Sequence, residues 1–166
     1  MPPFTVNPAL PTDVPILLEM VRELAGFEQL AQELEVTEDL LQEALFGENP
    51  VAHALIARMH GRPAGYAVFF RTFSTFVGRP GIFLDDLFVR PPFRKLGVGR
   101  ALLTRVAEIG VATGGGRFEW ITLRWNENAF RFYRSIGASV MNEWALLRMD
   151  GREAGQLIGA KGRVAV

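Results

Sequence analysis

Two adjacent carboxylates, Asp85 and Asp86, interrupt an otherwise apolar run from Ile82 to Arg90. Desolvating two charges inside a strand is costly, so the pair suits proton transfer or the capture of a cation better than an idle role. The plain alternative is a satisfied turn or an ion pair with a nearby arginine. Side chains alternate along a strand, so the two point to opposite faces unless a bulge intervenes. The run stops at Pro91-Pro92 and leads into Arg94-Lys95-Leu96-Gly97-Val98-Gly99, which opens a long amphipathic helix. Gly97 and Gly99 let backbone amides approach a ligand and point the same way. A helix N-terminus adds about half a positive charge. Arg90, Arg94, Lys95, Arg100 and Arg105 share this span with no acid among them. Such a loop suits phosphate oxygens, held by amides with side chains assisting. It lacks the Gly-Lys-Ser/Thr ending of a Walker loop, and the third glycine and βαβ context of a dinucleotide fingerprint. The bland alternative is a glycine-rich turn with a solvated basic edge.

Other chemistries are excluded by composition. The chain has 166 residues and no cysteine. That excludes a disulfide scaffold, a thiolate zinc site and a covalent thiol nucleophile. The two histidines, His53 and His60, lie on or beside a turn and read as ordinary residues; nothing supports a metal site. Net charge is zero, yet residues 1–50 hold ten acids against one base, −9, and the remainder holds eight acids against seventeen bases, +9. Nucleic-acid binding would leave the acidic third without a role. No signal-peptide pattern and no membrane span is expected, so a soluble cytoplasmic protein is the default.

The elements that must position these groups follow from periodicity and punctuation. Phe4–Pro8 predicts a strand. Thr12 and Asp13 open a helix that Gly26 stops, and Thr37 caps a second helix ending at Gly47. Ala52–Arg58 and Ala64–Thr72 form a hairpin about His60-Gly61, and Ile82–Arg90 is a third strand of the sheet. A helix from Gly97 to Thr113 ends at Gly114-Gly115-Gly116. Phe118–Leu123 is a strand, Asn126 caps a helix to Ile136, and Ala138–Met149 is a final strand. The expectation is an α/β (mixed α+β) domain over 1–150, a central mixed sheet of six to seven strands with about four helices, and a partly ordered, fraying tail over 151–166.

Arg94-x-x-Gly97-x-Gly99 after a strand resembles the pyrophosphate signature of the GNAT (Gcn5-related N-acetyltransferase) family, and the element order fits that fold. Four segments resemble its diamine (spermidine/spermine) branch: Leu24-Ala25-Gly26-Phe27-Glu28, Leu84–Val89, Trp125-Asn126-Glu127-Asn128 with Phe132-Tyr133, and Gly137-Ala138 followed by Trp144.

The resemblance implies acetyl-coenzyme A as cosubstrate, without a metal. The donor would contact Leu87, Phe88, Val89, Arg94, Lys95, Leu96, Gly97, Val98, Gly99, Arg100, Asn126, Ala129 and Tyr133. It implies Asp85 as base, shorter than the branch's glutamate, so that a water relay is favoured, and Tyr133 as acid to the sulfur. It puts Phe27, Glu28, Asp86, Glu119, Trp120, Glu143 and Trp144 on the substrate side. The backbone amides of Phe88 and Val89 would form an oxyanion hole.

Where the branch has Asp-Pro-Trp, this chain has Ser74-Thr75-Phe76, so an acid is lost. The implied activity is direct acetyl transfer to a primary amine of a small molecule, a diamine, polyamine or lysine-like amino acid. A protein or peptide acetyltransferase of the same fold and a non-catalytic acyl-coenzyme A module are the alternatives. The family commonly forms homodimers, and Phe69, Phe70, Phe73 and Phe76 are candidates to line such an interface.

Overall fold

The computed structural model describes residues 4–159. The chain divides into two compact units, one ending at Leu123 and the other beginning at Arg124.

The first unit holds a five-stranded sheet in the order β1 (Phe4–Pro8), β2 (His53–Met59), β3 (Arg62–Ser74), β4 (Arg79–Val89), β5 (Arg117–Trp120). The first four strands are antiparallel neighbours, and β5 runs parallel to β4. That parallel pair requires a crossover, supplied by α3 (Val98–Ala112). One face packs on α1 (Val14–Phe27) and α2 (Glu38–Phe46), where Leu17, Met20, Leu45, Ile56, Tyr66 and Phe88 form a core cluster. The other face takes α3: a Cβ on Gly110 would run into the ring of Phe118 and into Ile82. Thr37 caps α2 as expected, accepting from the Leu40 amide at 3.3 Å. Asp13 does not cap α1 with its side chain. It accepts from the Leu10 amide at 3.0 Å and pairs with Arg58 at 2.5 Å.

The β3–β4 ladder contains the feature that matters most. Val68 pairs with Asp86, and Phe69 pairs with Leu84, so Asp85 is the extra residue of a β-bulge. Strand parity changes there. Upstream, Ile82 and Leu84 turn toward α3. Downstream, Asp86 and Phe88 turn toward α1.

The second unit contains α4 (Glu127–Ser135) and α5 (Gly151–Gly159). One expectation fails here. Among the described residues Ala138–Met149 forms no strand, which leaves five strands rather than six or seven. Val140-Met141 and Leu146-Leu147 place apolar side chains side by side, so no register gives this segment one apolar face. The tail is helical over Gly151–Gly159, and the rest of it, 160–166, lies outside the described residues. Its start is a capping box, in which the Glu153 amide donates to Asp150 Oδ1 at 2.8 Å and the Asp150 amide donates to Glu153 Oε2 at 3.0 Å.

Candidate active site

Asp86 lies on the α1 face of the sheet, where its Oδ2 accepts a hydrogen bond from the Tyr66 hydroxyl at 3.0 Å. Burial pushes its carboxyl up to about 6, with the charges of Asp85 and then Glu28 adding to the effect and the Tyr66 bond opposing it. Glu28, one residue past the end of α1, is itself raised by burial. The Tyr66 phenol is raised well above its usual range, first by burial and then by the negative charge of Asp86. Asp85, on the bulge, is exposed. Three carboxylates from α1 and β4 therefore share one field, which a cation would relieve.

Beyond Leu84 the outer edge of β4 opens. β5 pairs only with Gly81–Leu84, ending at Trp120, while β4 runs on to Val89. The Arg90 amide donates to Ala64 O across the β3 ladder at 3.0 Å, and a Cβ on Gly65 would fall on the Phe88 carbonyl. Residues 88 and 90 therefore point their backbone groups at β3. Alternation turns the amides of Leu87 and Val89 to the open edge. Of the expected pair Phe88 and Val89, the register thus commits the Phe88 amide to the ladder, and Leu87 takes its place at the edge.

Pro91 and Pro92 cannot donate to a ladder, so the strand ends there and a 3-10 turn, Pro91–Phe93, follows. Lys95 and Gly97 both have positive φ, +62° and +87°, which bends the chain sharply into α3. The amides of Val98, Gly99 and Arg100 lie in the first turn, where no helical acceptor exists for them. Lys95, Leu96, Gly97 and Arg100 are exposed here, and Val98 is buried beneath. Gly97 is required by its left-handed backbone. Gly99 is not: its φ is ordinary, and a Cβ would meet only Val89 Cγ2 at an unstrained 3.5 Å. What glycine preserves at 99 is open space over the amides, which fits a pyrophosphate.

The five basic residues of this span divide by role. Arg90 donates to Glu23 at 3.0 and 2.6 Å, to Pro63 O at 3.3 Å and also to Glu19, so it clamps β4 to α1 rather than facing a ligand. Arg105 pairs with Glu108 on its own helix at 2.8 Å. The Arg94 Nε donates to Val89 O at 2.9 Å, with its guanidinium 5.0 Å from the Phe27 ring and 5.8 Å from the Phe88 ring.

The other expected substrate residues spread out. Glu119 pairs with Arg117 at 3.7 Å. Trp120 is two residues beyond Phe118 and so shares the α3 face, opposite Asp86. Phe69 is 2% exposed and belongs to the core, and Phe70 stacks on Phe83, whereas Phe73 and Phe76 are exposed. Ser74 organises a turn, accepting from the Val77 amide at 3.3 Å.

In the second unit, Asn126 Oδ1 accepts from the Ala129 amide at 3.1 Å and caps α4. Tyr133 is half-buried on that helix beside Phe132. Glu143 and Trp144 are exposed in the segment after it. Among the described residues no group of three or more His, Cys, Asp or Glu could hold a metal ion, and no helix is long and apolar enough to cross a membrane.

Tyr66 and the Arg90 clamp went unforeseen. A signal for Tyr66 exists: it is the one hydroxyl in the apolar run Ala64–Phe70, and a buried tyrosine needs a partner.

Comparison with known proteins yields a consistent set. The model of the acetyltransferase (GNAT) family matches residues 18–138. A thialysine N-epsilon-acetyltransferase of Mus musculus is 32% identical over 165 residues, covering 93% of this chain and 96% of that protein. An L-ornithine N5-acetyltransferase of Arabidopsis thaliana is 30% identical over 188 residues, covering 86% of this chain and 82% of its own. Among solved structures, an integron cassette protein from V. cholerae superposes with a TM-score of 0.75 at 24% identity, covering 94% of this chain and 98% of that one, a likeness of fold.

Proposed function

The chain belongs to the GNAT family of acetyltransferases, and on that premise we propose that it acetylates a primary amine of a small cationic molecule, a diamine, polyamine or lysine-like amino acid. The observation that carries this reading is the shared field of Glu28, Asp85 and Asp86, from the end of α1 and from β4. The names of the mouse and Arabidopsis relatives support an acceptor with an amino-acid head and a side-chain amine.

Acetyl-coenzyme A supplies an activated acetyl group as a thioester. The first-turn amides of α3, with Lys95 and Arg100, hold its pyrophosphate. The edge amides of Leu87 and Val89 receive its pantetheine arm and polarise the thioester carbonyl. Asp86 and Glu28 attract the acceptor's ammonium group. Its pKa is ~10.4, so a proton must be removed before attack. Asp85, exposed and short, accepts that proton through a water. By the family resemblance Tyr133 would give a proton to the departing sulfur and be restored by the one the nitrogen sheds as the amide forms. With no cysteine in the chain, transfer is direct rather than through a thiol acyl-enzyme. We place the enzyme in the cytoplasm as a homodimer, with exposed Phe73 and Phe76 as the apolar surface for the second copy.

A panel of diamines, lysine-like amino acids and peptides, incubated with acetyl-coenzyme A while thiol release is followed, tests the reading. Release with the small cations is expected. Release with peptides alone would replace the acceptor class, and coenzyme A binding without any release would leave a binding module.

A further inference from the structure

The reaction as described leaves Tyr66 unused. Its side chain is fully buried on β3 among Leu17, Met20, Ile56 and Phe88. The Phe88 ring lies 6.2 Å away at a tilt. Among these apolar neighbours its hydroxyl has one hydrogen-bond partner given by the geometry, Asp86 Oδ2 at 3.0 Å. We infer that Tyr66 is a positioning residue for the acceptor site: its phenol fixes one oxygen of Asp86 and leaves the other to meet the acceptor's ammonium group. This inference rests on the reading of Asp86 as partner of the cation.

The charged groups around Asp86 make such a residue necessary. Asp85 on β4 and Glu28 beyond α1 both oppose its ionisation, as does burial. Arg94 is held elsewhere, over the Phe88 ring at 5.8 Å and on Val89 O. The phenol's own ionisation is pushed far upward, so it stays a donor throughout the working range of pH. A hydrogen bond donated to a carboxylate favours the charged form. Tyr66 thereby keeps an anion where its surroundings would neutralise it, and it stops the carboxylate from rotating. Phenylalanine at 66 would preserve the packing and lose both effects.

The test is Tyr66→Phe, alone and combined with Asp86→Asn. The acid limb of kcat/KM should move up by roughly one pH unit, the size expected for losing a hydrogen bond to a charged group. At a pH near 6, the ionised fraction of Asp86 then falls from about half to about a tenth, so the acceptor's KM rises roughly fivefold with kcat little changed. The carboxyl carbon of Asp86, followed by NMR without substrates, should show the same upward shift. In the Asp86→Asn background, Tyr66→Phe should add nothing to KM.

If Asp86→Asn leaves KM unchanged, the reading of Asp86 falls, while the NMR titration still reports on Tyr66. If Asp86→Asn raises KM but Tyr66→Phe moves neither the pH limb nor the NMR midpoint, Tyr66 is a packing residue only. Should Tyr66→Phe fail to fold, fluorotyrosine at the chain's two tyrosines acidifies the phenol. It should lower the Asp86 midpoint, and an unmoved midpoint overturns the inference.

Discussion

The guanidinium of Arg94 lies 5.0 Å from the centre of the Phe27 ring, while its Nε holds the carbonyl of Val89. One side chain thus joins the glycine turn, the open strand edge and the end of α1. A contact of this kind contributes about 0.5–2 kcal/mol. Arg94→Ala should therefore weaken both substrates, coenzyme A and the amine, each by roughly threefold to tenfold. Lys95→Ala should weaken coenzyme A alone. Titration calorimetry for the donor and KM for the acceptor distinguish them, and an Arg94→Ala effect confined to the donor would disprove the linkage.

The two glycines of the turn should respond differently. Gly97→Ala forces an L-residue into the left-handed region, at a cost of roughly 1–2 kcal/mol, and should lower the melting temperature. Gly99→Ala meets only an ordinary contact and should melt like the parent. It should nonetheless raise the coenzyme A dissociation constant tenfold or more (roughly the loss of one good hydrogen bond) because the methyl group occupies the approach to the amides. Unchanged affinity in Gly99→Ala would remove the cradle from its assigned place.

Asp86 makes stability fall with rising pH. Its folded value of about 6 lies above the ordinary 3.8, so the native state holds the proton more tightly than the unfolded chain. The contribution is complete below about pH 4 and disappears as pH rises through about 6. At ~1.4 kcal/mol per unit the difference is about 3 kcal/mol. Asp86→Asn removes this dependence. In urea unfolding, the variant should gain on the parent by up to that amount between about pH 4 and pH 7. A difference that stays flat across the interval contradicts the assignment.

Arg90 is a matter of stability rather than chemistry. Its side chain is 16% exposed, so solvent screens its bonds to Glu23 and Glu19 only partly. Arg90→Ala should cost about 1–3 kcal/mol, at about 2–4 °C of melting temperature per kcal/mol. KM for both substrates should stay near the parent value. A large loss of coenzyme A affinity would return Arg90 to the ligand.

Much of this was legible in the chain because it rests on local rules. Pro91-Pro92 had to end a strand, Thr37 and Asn126 had to cap helices, and a glycine turn had to lead into α3. Tertiary facts were not. The sequence places Asp85 beside Asp86 but does not say which residue the ladder skips; only the pairing of Val68 with Asp86 and Phe69 with Leu84 does. Likewise a basic run does not reveal that Glu19 and Glu23, some seventy positions away, have already taken Arg90. Ala138–Met149 is apolar in content but not in spacing, and only the spacing decides whether a strand has a face to bury.

The inserted residue at 85 acts as a dislocation in the strand. A single unpaired position lets even-numbered residues of β4 serve two hydrophobic layers in turn, Ile82 and Leu84 on one side, Asp86 and Phe88 on the other. Excising Asp85 would not merely remove a carboxylate. It would join Leu84 directly to Asp86 and restore a regular ladder in which each keeps its partner and its face. The acidic pair and the irregularity would disappear in that one excision, while both hydrophobic layers stayed as they are.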